Sequence, residues 1–216
     1  MFANIGNWIV DKEYRNKSIN LLFPILKLEN IVLTNFTASP IVSSILKTLN
    51  FKELGDIFYI IPPIPSLSKN IIRNDYNIFY DESVKNNLNL NDQHIFRDHS
   101  NPDFNIKHIL INNHEAYCYI IAKIAHRKKL RFLHIHYISN PKLFTQIINC
   151  FKITISFKFR VMAVIIDKRL LKGERIKFAI SYKLQSPRFY RLNGIDFINE
   201  LEYMDHLYSE FMLLNI

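Results

Sequence analysis

Arg15, Lys17 and Ser18 stand close together, after an apolar stretch at residues 7–10 and just ahead of a run with helical periodicity. Cations, a hydroxyl and a chain entering a helix are the parts of an anion site, because the first amides of a helix have no intrahelical partners and point outward. His134 and His136 flank Ile135, so a strand there points both imidazoles to one face, a geometry open to metal ligation. Structural zinc sites take four ligands and catalytic ones three. No third ligand stands at a suitable local spacing, and no metal is expected. His94 and His99, with Asp92 and Asp98 nearby, fall in a polar segment and read as solvated loop. Asp205, His206 and Ser209 share one predicted helix, on which adjacent residues diverge in direction, so they do not form a triad. The run His126-Arg-Lys-Lys-Leu-Arg131 reads as a cationic turn able to meet phosphate groups of a nucleotide, a nucleic acid or a membrane surface. Cys118 and Cys150 lie far apart in apolar segments and read as small hydrophobes, with neither a disulfide scaffold nor a zinc site implied.

The elements that would position these groups alternate. Residues 7–10 suit a strand and 11–17 a polar turn. From Ser18, a plausible N-cap, Leu21, Leu22, Ile25 and Leu28 recur on one helical face, with a kink expected at Pro24. Residues 31–36 read as a second strand, Ile41, Ile45, Leu46 and Leu49 as a second helix, and 51–61 as a third strand. This order points to α/β units on a largely parallel sheet. Residues 62–66, Pro-Pro-Ile-Pro-Ser, form the clearest linker, so the chain is expected to divide into 1–62 and 66–216. Residues 66–105 are polar, with short elements at most. Beyond them come a hairpin at 106–111 and 117–124, a strand at 131–138, a helix at 141–151 opened by Ser139 or Asn140, and strands at 160–166 and 176–182. A helix at 195–214 carries Leu201, Met204, Leu207, Tyr208 and Phe211 at spacings of three and four. The order of strand, turn, helix and strand in residues 8–36 recurs in 132–166, which suggests two related halves.

Residues 8–15 (WIVDKEYR) followed by 16–22 (NKSINLL) resemble motif A of the GNAT superfamily of acyl-CoA-dependent acyltransferases, and residues 37–51, ending Leu-Asn-Phe, resemble the helix and exit that follow it. The resemblance covers about a quarter of the chain. It implies an α/β fold with a GNAT-like mixed sheet flanked by helices, and acyl-CoA or acetyl-CoA as co-substrate. By it, Ile9 and Val10 would offer backbone groups to the pantetheine arm, while Arg15, Asn16, Lys17, Ser18 and Ile19 would surround the pyrophosphate of the coenzyme A thioester. The implied activity is acyl transfer to an amine or hydroxyl acceptor. The alternative is a catalytically degenerate GNAT-like domain that binds a ligand or partner. Ser18 and Asn20 occupy positions where the family keeps glycine or alanine. Leu46 stands where the family often places a proton-donating tyrosine, and an aliphatic side chain cannot donate. No catalytic residue is assigned, and a tyrosine at position 46 is expected to raise turnover. Ser39 replaces an asparagine, and Asn50 a glycine in a position where left-handed angles are tolerated.

At 49% hydrophobic over 216 residues the chain can build a real core, which excludes a disordered protein. No apolar run reaches the roughly 20 residues of a membrane span, and the first 15 residues lack a signal-peptide pattern, so a cytoplasmic protein is expected. The net charge of +9 is uneven: residues 121–191 hold 17 Lys or Arg against Asp167 and Glu174. Such a stretch makes a polyanion contact through the second half plausible on charge alone.

Overall fold

A computed structural model describes residues 2–6, 10–64, 76–113, 115–194, 209 and 211–212. The expected strand at 7–10 and the expected helix at 195–214 fall largely outside them. The chain forms two units, one of Met1–Asp56 with Lys183–Met204 and the other of Ile57–Tyr182 with Asp205–Ile216. Both are mixed α/β structures. The division therefore falls at residues 56 and 57, ahead of the prolines at 62 and 63, and the first unit recovers a segment from near the end of the chain.

In the first unit β1 (Phe2–Asn4) runs parallel to β2 (Ile31–Asn35), with Phe2 opposite Val32. Strand β2 is buried along its length. A parallel pair requires a crossover, made here by a 3₁₀ helix, Lys12–Leu21, that runs into α1 (Leu22–Leu26). The α-helix expected from Ser18 thus begins only at Leu22. No residue of Lys12–Leu21 is buried, so no packed apolar stripe selects the α period there. Pro24 sits in the first turn of α1, where its missing amide leaves no bond unmade. Next come α2 (Pro40–Thr48) and β3 (Lys52–Leu54). Ser39 caps α2, its Oγ accepting from the Val42 amide. At the other end Asn50 takes a φ of 59°, and the Phe51 amide donates to the Leu46 carbonyl at 3.0 Å, a Schellman closure.

The second unit has a seven-stranded sheet in the order β10-β4-β9-β8-β7-β6-β5. Its strands are β4 (Ile57–Ile61), β5 (Asn77–Tyr80), β6 (Ile106–Asn112), β7 (Tyr117–Arg127), β8 (Leu130–Ile138), β9 (Ala163–Asp167) and β10 (Ile180–Lys183). Strands β5 to β8 form an antiparallel meander. From β8 the chain crosses through α4 (Pro141–Phe159) to β9, which lies parallel to β8. Helix α4 runs past the expected end at residue 151 because Phe151 and Ile155 extend its buried stripe, and Arg160, with φ 53°, ends it. One core holds Leu133, Ile135, Phe144, Ile147, Phe151 and Val164; another, beyond Tyr119 and Ile121, receives Phe96 of α3 (Leu90–Asp98).

The stretch 51–61, expected as one strand, breaks at Gly55 and Asp56 into β3 and β4, which belong to different sheets. Strand β4 enters the second unit's sheet between β9 and β10, antiparallel to β9. Conversely, β11 (Arg188–Asn193), which follows β10 in the chain, enters the first unit's sheet between β2 and β3, antiparallel to both. Each sheet thus contains a parallel pair, then a strand from the other half of the chain, then a short outer strand.

Candidate functional site

The first unit has a cleft of about 490 Å³ lined by Val10, Arg15, Ser18, Ser39, Ile41, Val42 and Ile45. These residues come from the two segments that follow the carboxyl ends of the parallel strands β1 and β2. That is the common location of ligand sites in open α/β sheets, because helix N-termini gather there. Asn35 secures the entry: its amide donates to the Ile5 carbonyl at 2.8 Å, and the Ile5 amide donates to the Thr34 carbonyl at 2.7 Å.

Part of the lining is polar. Arg15 is exposed, and the Ser18 hydroxyl donates to the Arg15 carbonyl at 2.7 Å, holding the 3₁₀ turn that carries both. Ser39 adds a second hydroxyl at the start of α2, where Pro40 supplies no amide and the Val42 amide is already taken by Ser39 Oγ. The rest of the lining is aliphatic, made of Val10, Ile41, Val42 and Ile45, with Ile41 76% exposed. Such a cleft can hold an anion at one end and an apolar chain along its wall.

Of the residues singled out in the sequence, Val10, Arg15 and Ser18 line this cleft. Asn16, Lys17 and Ile19 lie on the same 3₁₀ helix but not in its lining, and Ile9 lies outside the described residues. The expected delivery of the amides of residues 15–19 to a phosphate needs correction. In a 3₁₀ helix those amides bond three residues back within the helix, so side chains must supply the anion contacts. Leu46 also departs from expectation: it is fully buried with Ile31, Leu33, Phe51 and Phe189 and faces the core. A tyrosine there would meet packed apolar side chains and not a ligand.

Two residues absent from the sequence reading support the cleft from beneath. Asn193 on β11 donates to the Leu26 and Leu28 carbonyls at 3.0 and 3.1 Å, satisfying the end of α1. Arg191 donates to the Leu49 carbonyl at 2.7 Å at the end of α2. One strand therefore fixes the carboxyl end of α2, which lines the cleft, and that of α1, which continues the 3₁₀ helix carrying Arg15 and Ser18. The β-prone run RFYRLN was the available signal, but its partner could not be read from sequence.

The corresponding crossover in the second unit is closed by its own side chains. Asn140 Oδ1 accepts from the Leu143 amide at 3.0 Å, and Pro141 removes a donor. Ser139 Oγ accepts from the Tyr119 amide at 2.8 Å. Polar groups gather instead on the sheet face opposite α4. Tyr117 and Tyr137 donate to the buried Asp92 at 2.5 and 3.2 Å, and burial followed by that bond pushes the Tyr117 phenol up to about 12. His108 Nε2 donates to the His99 carbonyl at 3.2 Å while its Nδ1 accepts from Tyr119 at 2.7 Å, and burial first of all lowers its pKa to about 4. It is held neutral.

His134 and His136 do share a face, with ring centroids 4.2 Å apart. The register passes from Ile121 opposite Tyr137 to Ala122 opposite Ile135, leaving His136 as the extra residue of a bulge. Burial, then His134 and Lys123, hold His136 well below the usual histidine range. No group of three metal-ligating side chains occurs among the described residues. His99 is not solvated loop but the C-cap of α3, donating to the Ile95 carbonyl and accepting from Ser209 at 2.8 Å. Asp205 and His206 lie outside the described residues. Cys118 is buried, and burial pushes its thiol up to about 12, as suits a small core residue. No helix among the described residues is long and apolar enough to cross a membrane.

In fold the chain is similar to GCN5-related N-acetyltransferases. The one from Anabaena variabilis shares 15% identity at a TM-score of 0.49, over 83% of this chain and 52% of that one. This chain thus spans about half that protein's length. The one from Kribbella flavida shares 7% identity at a TM-score of 0.48, over 87% of this chain and 77% of that one. A conserved protein of unknown function from Staphylococcus epidermidis shares 14% at 0.42, over 84% and 80%. No protein-family model and no curated protein matches the sequence.

Proposed function

We propose that the first unit binds a coenzyme A thioester, with the phosphates held by Arg15, Ser18 and Ser39 and the pantetheine arm laid along Val10, Ile41, Val42 and Ile45. The observation that carries this reading is the cleft itself, whose lining combines one cation and two hydroxyls with the aliphatic side chains of Val10, Ile41, Val42 and Ile45. A ligand that is polyanionic at one end and extended and largely apolar at the other uses both sides. Arg15 supplies charge-assisted hydrogen bonds to phosphate oxygens, which are the strong kind. Val10, Arg15 and Ser18 of the run that resembles motif A are in its lining.

Acyl transfer to an amine or hydroxyl is the activity such a ligand would serve. The described lining holds no carboxylate, imidazole or phenol to move a proton, so it supports binding more directly than chemistry. The test is calorimetric titration with acetyl-CoA, with CoA and with dephosphorylated pantetheine. Saturable binding of the first two that Arg15→Ala weakens supports the reading. Heat independent of Arg15, or none at millimolar ligand, removes it.

A further inference from the structure

We propose that one end of the second unit docks on an anionic membrane surface. The end in question is where β8 and β9 begin, where β7 and α4 stop, and where β10 starts. Register fixes this: Arg127 pairs with Leu130 across the β7–β8 turn, and Phe132 lies opposite Ala163. The Met162 amide donates to the Arg131 carbonyl at 2.8 Å, joining the exit from α4 to the start of β8. Arg127 Nη2 donates to the Tyr182 hydroxyl at 3.0 Å, joining the β7 end to β10.

Large apolar side chains that ought to be inside stand out here. Leu130 is 46% exposed, Met162 57%, Phe157 81%, Phe178 75% and Ile180 60%. Single exposed hydrophobes need no explanation, but a group of them at one end of a sheet does. Exposed cations lie on the same segments: Arg127, Lys128 and Lys129 at the turn, Lys158 and Arg160 at the end of α4, with Lys158 Nζ 4.9 Å from the Tyr80 ring, and Lys177 before β10. Glu174 is the nearest acid in sequence to these segments.

This pairing selects the partner. A nucleic acid would be met by cations with aromatic platforms, yet three of the five apolar residues are aliphatic or a thioether. Leucine, methionine, isoleucine and phenylalanine on segments that also carry exposed lysine and arginine fit a bilayer, where the apolar groups enter the headgroup boundary and the cations meet anionic lipid. Part of the basic excess noted in the sequence lies elsewhere: Arg188 is 1% exposed and donates to the Gly55 carbonyl, and Lys152 is 3% exposed on α4. Arg127, Lys128, Lys129, Lys158, Arg160 and Lys177 are the part of the excess that this end presents.

The test is co-sedimentation of the full chain with vesicles of phosphatidylcholine alone and of roughly four parts phosphatidylcholine to one of phosphatidylserine. The expected result is binding to the second kind only, falling as salt rises. The double variant Phe157→Ser/Phe178→Ser keeps every charge and should weaken vesicle binding about tenfold. Lys128→Glu/Lys129→Glu should weaken it at least as much. Leu90→Ser, at a residue 76% exposed on α3, should leave it unchanged. These side chains are on the surface, and thermal melts verify that each variant folds. Vesicle binding insensitive to the phenylalanines overturns the proposal in favour of a bare polyanion site. So does tighter retention on RNA than on vesicles, or a salt-stable dimer built on the same residues.

Discussion

The two crossovers connect parallel strands in the same way but are made of different material. Between β8 and β9 lies one regular helix of 19 residues whose Phe144, Ile147, Phe151 and Ile155 are buried against the sheet. Between β1 and β2 the chain makes a 3₁₀ helix with no buried residue and then five residues of α-helix, of which Leu22 alone is buried. The first is stapled to its core, and Asn140 and Pro141 close its N-terminus. The second borders an open cleft and leaves Arg15 to solvent. Burial and accessible polar groups are alternatives for a short connection. The second unit uses its connection for stability, and the first leaves its own available to a ligand.

The sharpest test of that contrast is truncation of each apolar face. Phe144→Ala should destabilise the second unit by about 3–5 kcal/mol, as for a fully buried aromatic. Ile25→Ala, at a half-buried position on α1, should cost about 1 kcal/mol. Urea unfolding followed by far-UV circular dichroism measures both, and equal losses would erase the distinction.

Protonation provides the next test. His108 has a folded pKa near 4 against an ordinary 6.5, so the unfolded chain binds the proton more readily. Stability from this group is therefore complete above pH 6.5 and declines as pH falls toward 4, by on the order of 3 kcal/mol. His136 is depressed in the same direction. Melting temperatures across this range should fall with pH, and less steeply in His108→Gln; an identical slope in that variant would assign the effect elsewhere.

Ligand binding should divide the units the other way. Arg15→Ala should weaken coenzyme A binding by about 1.5–3 kcal/mol. Lys142→Ala, at the closed start of α4, should leave it unchanged. Titration of the pair distinguishes a site in the first unit from one in the second. The smallest effect is expected from Asn140→Ala, which removes the α4 cap at about 1 kcal/mol and shows as a modest shift in the thermal midpoint of the second unit.

Local patterns were legible in the chain because they depend on neighbours within a few residues. Prolines, caps and apolar periodicity placed β2, α2, the β6–β7 hairpin, β8 and the start of α4. Ser39 and Asn50 were readable as helix ends, and His134 with His136 as one strand face. Val10, Arg15 and Ser18 were singled out by the motif-A resemblance, and the fold brings these three to one cleft. What required the tertiary structure depends on partners far away in sequence. Residues 51–61 read as one strand because nothing local reveals that Gly55 and Asp56 send the two pieces into different sheets. Arg191 and Asn193 support the cleft only because β11 returns beside β2, some 150 residues from it in sequence. Lys12–Leu21 adopts the 3₁₀ form for want of a buried stripe, a matter of packing and not of propensity. Leu46 faces the core and Ile41, Val42 and Ile45 the cleft because the sheet beneath α2 decides which of its apolar side chains are covered.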